Sequence, residues 1–264
     1  MTARCAWRPS DRTVRVAAAA LAAAFLLSAP SRADEAPLRL RGIKGADDRV
    51  VVDPNAAPWS AVGRLNKRTG GFCTAVLVAP RWVATATHCL WNGRTRRYLP
   101  PVSLHFVAGY AKGEYRLHAP VVRVLPAPGY RPDGAAGRPV RAADWALAEL
   151  ATAVADAPHL ALAPPPGPGD RVTQAGYSQD KAHVLTAHRD CRVTGLAGGG
   201  QLLVHACDAG PGDSGSPLLV RLNGAWALAG LHVATTRTQP QQGLAVPAET
   251  FAKALRDVSP PARP

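Results

Sequence analysis

The octapeptide Gly210-Pro211-Gly212-Asp213-Ser214-Gly215-Ser216-Pro217 sets a serine between glycines, just ahead of the apolar run Leu218-Leu219-Val220. Glycines at these positions let the backbone turn sharply and approach a substrate with no side chain screening the hydroxyl. The N–H groups of Gly212 and Ser214 could then converge on a developing oxyanion, an interaction worth several kcal/mol in a transition state. A serine hydroxyl is a weak nucleophile at neutral pH and needs a base within hydrogen-bond reach. Of the eight histidines, His88 has the most suitable setting, because it follows Trp82-Val83-Ala84-Thr85-Ala86-Thr87 at a strand end and precedes Cys89. His105, His118, His159, His183, His188 and His205 have no comparable surroundings and read as surface or satisfied core residues. The base in turn needs a carboxylate to fix its tautomer and stabilise the imidazolium. Asp144 heads the apolar stretch Trp145-Ala146-Leu147-Ala148-Glu149-Leu150, where an acid would be partly desolvated, whereas Asp133 and Asp156 sit in Pro/Gly/Ala-rich loops. Taken singly, each of the three residues has an ordinary structural explanation, Asp144 as a turn residue above all; the chemistry lies in their combination.

The elements that must carry these side chains are short. Ala75 to Val78, Trp82 to Ala86, Val102 to Val107, Val121 to Leu125, Trp145 to Leu150, Leu202 to His205 and Trp226 to His232 are β-rich runs separated by Gly, Pro and Asn turn signals. Many short strands with little helical periodicity predict an all-β sandwich or barrel. Residues 163–169 hold four prolines and cannot form a central strand. They read as a linker between a half carrying His88 and Asp144 (residues 50–162) and a half carrying Ser214 (residues 170–247), with the site between two barrels. Residues 248–264 begin with Ala248 to Val258, where Phe251 and Leu255 share one helical face, so a short C-terminal helix is expected, ended by Pro260 and Pro261.

The 264 residues carry a formal charge of +13. Arg4, Arg8, Arg12 and Arg15 precede an apolar run from Val16 to Leu27, and Ser31-Arg32-Ala33 offers small residues at a cleavage site. Residues 1–33 therefore read as a secretory signal, too short in its apolar part to span a bilayer, followed by an N-terminal segment or propeptide over residues 34–49. Its removal leaves a chain at +9 with four cysteines, Cys73, Cys89, Cys191 and Cys207. An even count in an exported chain predicts two disulfides, with three pairings possible. Zinc is the competing use of these cysteines, but CxxC spacing is absent and the site would need His88 as a ligand. No block of Lys/Arg interleaved with aromatics points to nucleic acid.

The motifs occur in the order His, Asp, Ser, and the chain resembles the chymotrypsin-type serine proteases. Phe72-Cys73-Thr74-Ala75 with Thr85-Ala86-Thr87-His88-Cys89 resembles the family's first-barrel signature, Asp144-Trp145-Ala146-Leu147 its aspartate motif, and Gly212-Asp213-Ser214-Gly215-Ser216-Pro217 its nucleophile motif. Ser216, where animal enzymes carry glycine, and the pair Cys191 and Cys207 look more like the bacterial branch that includes the glutamyl endopeptidases. The resemblance implies two six-stranded antiparallel barrels with the triad in their cleft, acyl-enzyme chemistry on a protein or peptide substrate, no cofactor or metal, and Cys73–Cys89 and Cys191–Cys207 bridges; a monomer is the default. It gives opposed readings of specificity. Asp208, six residues before Ser214, matches the pocket floor of trypsin-like members and favours Arg or Lys, whereas His232 matches the pocket histidine of glutamyl endopeptidases and favours an acid; the first is preferred. Arg49-Val50-Val51 is compatible with an activating cut that frees an apolar N-terminus to pair with Asp213, but Asp47-Asp48-Arg49 also resembles an uncut bacterial stretch. A silent binding protein using the same fold and a basic surface for anionic glycans or envelope is the alternative function; such relatives often lose a triad member.

Overall fold

The computed structural model describes residues 40–130, 141–154 and 158–259. The expected signal and its cleavage site, Asp133, Asp156, Pro260 and Pro261 lie outside them. The chain enters through β1 (Val50–Val51) and then builds β2 (Val62–Lys67), β3 (Phe72–Ala79) and β4 (Trp82–Thr85). A two-stranded ribbon of β5 (Trp91–Asn92) and β6 (Arg97–Tyr98) follows, then β7 (Leu104–Ala108), β8 (Leu117–Pro126) and β9 (Ala146–Leu150). Hydrogen bonding in the order β2-β3-β4-β9-β8-β7 closes the first six-stranded barrel. Closure removes sheet edges and fills the interior with alternate side chains; Leu65, Phe106 and Leu147 are among those with no solvent exposure.

The second half comprises β10 (Ala161–Leu162), β11 (Arg171–Gly176), β12 (Thr186–Ala197), β13 (Leu202–His205), β14 (Pro217–Leu222), β15 (Ala225–Thr235) and β16 (Gly243–Pro247). β12-β11-β14-β15-β16-β13 is the hydrogen-bonded order, and β13 pairs back with β12, so six antiparallel strands again close on themselves. The two barrels share one large apolar cluster, and a smaller one, with Val172, Val193, Leu203 and Leu218, fills the second barrel. β1, expected with the first barrel, instead pairs with β12 of the second, Val50 opposite Ala187 and Val51 opposite Thr186. The entering strand thus ties the N-terminal segment to the half that carries Ser214.

Residues 163–169 form no strand, as their prolines dictate. At the C-terminus a single 3₁₀ turn (Ala248–Phe251) leads into α1 (Ala252–Val258). Phe251 is fully buried, its ring centroid 5.7 Å from that of Trp145, so the terminal turn packs on the residue next to Asp144.

Candidate active site

β4 ends at Thr85, and the chain turns through a 3₁₀ segment (Thr87–Leu90) that lifts His88 out of the barrel wall. Cys89 is bonded to Cys73 on β3, which staples this turn to the neighbouring strand. The Thr87 hydroxyl donates to the Trp145 carbonyl, joining the turn to the start of β9. Asp144 stands just before that strand, with its N–H bonded to the Arg141 carbonyl. Its side chain is only 3% exposed, and both oxygens face His88: the His88 N–H donates to Oδ1 at 2.9 Å, and Nδ1 lies 2.8 Å from Oδ2. The opposite ring nitrogen, Nε2, lies 2.8 Å from Ser214 Oγ. A carboxylate on Nδ1 keeps that nitrogen protonated and leaves Nε2 as the acceptor that faces the hydroxyl.

Ser214 is positioned by glycines and by Thr74. Gly212 has φ +100° and Gly215 φ +83°. A Cβ on Gly212 would meet the Tyr177 carbonyl oxygen at 2.5 Å, and one on Gly215 would meet the Thr74 carbonyl oxygen at 2.3 Å. Backbone and packing therefore both require glycine at these two places. Thr74, on β3, donates its N–H to the Ser214 carbonyl at 2.9 Å and its hydroxyl to the Gly212 carbonyl at 3.1 Å. With both carbonyls turned onto the first barrel, the N–H groups of Gly212 and Ser214 have no acceptor among the described residues. Sequence reading quoted Thr74 only as part of a motif. Its two bonds to this loop span 138 residues or more, which local spacing does not reveal.

A cleft of about 440 Å³ opens beside these groups, lined by His88, Ser214, Ala209, Gly210, His232 and Thr235 among others. His232 is 3% exposed, and its Nδ1 lies 3.0 Å from Nε2 of His205, which is wholly enclosed. Burial lowers the pKa of both rings, with Lys44 and His88 adding to the effect on His232, which falls to about 3. Both imidazoles are thus neutral at ordinary pH.

Asp208 is absent from this lining. Its carboxylate, 1% exposed, is engaged elsewhere. Oδ1 accepts from the Lys44 N–H at 2.7 Å, Oδ2 accepts from the Asp48 N–H at 3.0 Å, and His188 Nδ1 lies 3.3 Å away. Burial pushes this carboxyl's pKa up, but bonds from His188, Lys44 and Asp48 more than offset that and hold it below the usual range. The N-terminal segment supplies both backbone donors, a contact across some 160 residues that the spacing to Ser214 cannot reveal. Asp208 and His232 do not bond each other: His188 and the backbone face the first, and His205 faces the second. Three cations that sequence reading did not single out, Arg41, Lys67 and Arg141, also line the cleft.

Cys191 is bonded to Cys207, beside Asp208, so both bridges implied by the family resemblance are present. Cys73, His88 and Cys89 bring three potential metal-binding atoms together, but the two sulfurs are bonded to each other and offer no thiolate.

The trypsin-family model matches residues 48–255. Human kallikrein-11 is 40% identical over 53 residues, 19% of this chain, and a glutamyl endopeptidase of Bacillus licheniformis is 34% identical over 59 residues, 22% of this chain. The aligned stretch spans 18% of the length of each of these relatives. The solved structure of a Glu endopeptidase in complex with MPD superposes with a TM-score of 0.69 at 22% identity, covering 82% of this chain and 98% of that one. With the family model matching most of its length and two closed barrels framing the cleft, the chain belongs to the trypsin family.

Proposed function

We propose that the protein is an exported serine endopeptidase in which His88, Asp144 and Ser214 act as a catalytic triad. The observation that carries this reading is one imidazole 2.8 Å from a buried carboxylate on one side and 2.8 Å from a serine hydroxyl on the other. Ser214 Oγ attacks the scissile carbonyl while His88 Nε2 takes its proton, and the N–H groups of Gly212 and Ser214 receive the oxyanion. His88 then gives the proton to the leaving amine, and the acyl-enzyme is hydrolysed by a water that His88 activates in the same way. The two bridges fit an oxidising, exported setting. A single copy holds all three groups, so no second copy is needed to complete the triad.

The cleft favours an acidic side chain at the scissile position. Among the described residues its one carboxylate, Asp144, is bound by His88, whereas Arg41, Lys67, Arg141 and His232 all line it. His232 Nδ1 lies 3.0 Å from His205 Nε2; with the His205 proton on that nitrogen, the His232 ring proton falls on its own Nε2, where it can be offered to a carboxylate. The test is a peptide set varied only at the scissile residue. Glu or Asp should exceed Arg or Lys in kcat/KM by about tenfold or more, and His232→Ala should erase most of that ratio. A preference for Arg or Lys would refute this specificity.

A further inference from the structure

Asp213, beside the nucleophile, is wholly buried, and a carboxylate in that position needs compensation. Its Oδ2 accepts the Gly210 N–H at 2.7 Å while its own N–H donates to the Gly210 carbonyl at 3.1 Å, so Asp213 closes the loop that presents Gly212. The same oxygen accepts the Ser178 hydroxyl, and the next residue, Gln179, donates its N–H to the Pro211 carbonyl at 2.7 Å. Ser178 Oγ in turn accepts from Arg49 Nη1 at 2.8 Å. With its lone pair facing the guanidinium, the hydroxyl proton is left to point at Asp213.

Two carboxylates grip the Arg49 guanidinium. Nε and Nη2 donate to the two oxygens of Asp47 at 2.8 and 2.9 Å, and Nη1 and Nη2 donate to those of Asp180 at 3.1 and 2.6 Å. Lys181 adds a bond to Asp47 at 2.8 Å. The guanidinium is 1% exposed, whereas Val51, two residues on, is 65% exposed. The apolar side chains that an activating cut would free are turned outward along β12. The side chain that a trypsin-like activator would have to grip is buried.

We infer that Arg49 of the uncut chain is a positioning residue for catalysis: seated by Asp47 and Asp180, it orients Ser178 onto Asp213 and so holds the Gly210–Ser214 loop without cleavage at Arg49-Val50. The inference rests on the protease reading above and adds to it the source of the loop's order. The basic residue at which the related animal zymogens are cut is here part of the working scaffold.

The test compares the uncut protein, verified by intact mass, with Arg49→Gln, Ser178→Ala and the double variant, each checked for both disulfides and a cooperative melt. Wild type should hydrolyse peptide with its Arg49-Val50 bond intact. Arg49→Gln and Ser178→Ala should each lower kcat by about tenfold to a hundredfold, less than the loss of an oxyanion donor itself, while KM changes by less than about twofold. The double variant should be no worse than the poorer single one, because both changes break one chain of contacts. Should Arg49→Gln fail to fold, Ser178→Ala, which leaves both ion pairs intact, decides alone. Unchanged kcat in Ser178→Ala, or multiplied losses in the double variant, would overturn the inference. Activity that appears only after the Arg49-Val50 bond is cut would overturn it while leaving the protease reading standing. A wild type inert both before and after that cut would sink both.

Discussion

At the scale of single residues, the site separates its carboxylates by what faces them. Asp144 is met by a backbone N–H and an imidazole, Asp208 by two backbone N–H groups and an imidazole, and Asp213 by a hydroxyl and a single N–H. Burial therefore dominates for Asp213 and raises its pKa to about 6, against the opposing influence of Ser178, Gly210, Arg49 and Gln174; Lys44 also senses its charge. Because the folded protein binds this proton more tightly than the unfolded chain, its contribution to stability is greatest below the unfolded value near 4 and is lost as pH rises to about 6. Asp47 and Asp180, both held low by hydrogen bonds from Arg49, act with the opposite sign, losing stability as pH falls. Urea unfolding of wild type and Asp213→Asn isolates the first effect, because the second is common to both. Relative to the variant, wild type should lose on the order of 2 kcal/mol between pH 4 and pH 7. A difference independent of pH would contradict the buried, weakly compensated carboxyl described here.

At the scale of elements, two loops are pinned to β3 and to each other. The Thr85 hydroxyl bonds the Thr74 carbonyl at 2.8 Å, and Thr74 holds the nucleophile loop, so the histidine strand and the serine loop share one anchor. Gly215 sits where these meet. Gly215→Ala must strain φ and push against the Thr74 carbonyl and the Thr85 hydroxyl together, so it should cost about 2 kcal/mol or more, read as a lower urea midpoint. An unchanged midpoint would mean that the anchor is soft. The motifs around these loops were legible in sequence because residue type and order carry the chemistry. Apolar runs such as those on β3 and β4 were legible for a related reason: both strands are buried along their whole length. β2 (VGRLNK) and β12 were harder to see. Their polar positions face solvent or the other barrel, as with Arg64, which bonds the Ala182 carbonyl, and β12 changes register where it pairs with β11 and β13. The bonds that hold Asp208 were hidden for the same physical reason, since backbone donors from distant residues are invisible to local spacing.

At the scale of the whole molecule, a strongly basic chain folds with cations along the walls of its cleft. Such a field draws anionic substrates in, and added salt screens it, the Debye length falling from about 10 Å at 0.1 M to about 3 Å at 1 M. For a Glu-containing peptide, kcat/KM should therefore fall by about threefold or more between 0.05 and 0.5 M NaCl, while a peptide of no net charge changes little. Equal responses would remove electrostatics from the account of specificity. The proposed function depends on Ser214 being activated by His88. The most direct test is to react residues 34–264 with a fluorophosphonate and compare wild type, Ser214→Ala and His88→Ala by intact mass. The account predicts one adduct on wild type and none on either variant. A folded wild type with both disulfides formed that takes no adduct, before or after cutting at Arg49, would contradict it and leave a protein that keeps the fold without the chemistry.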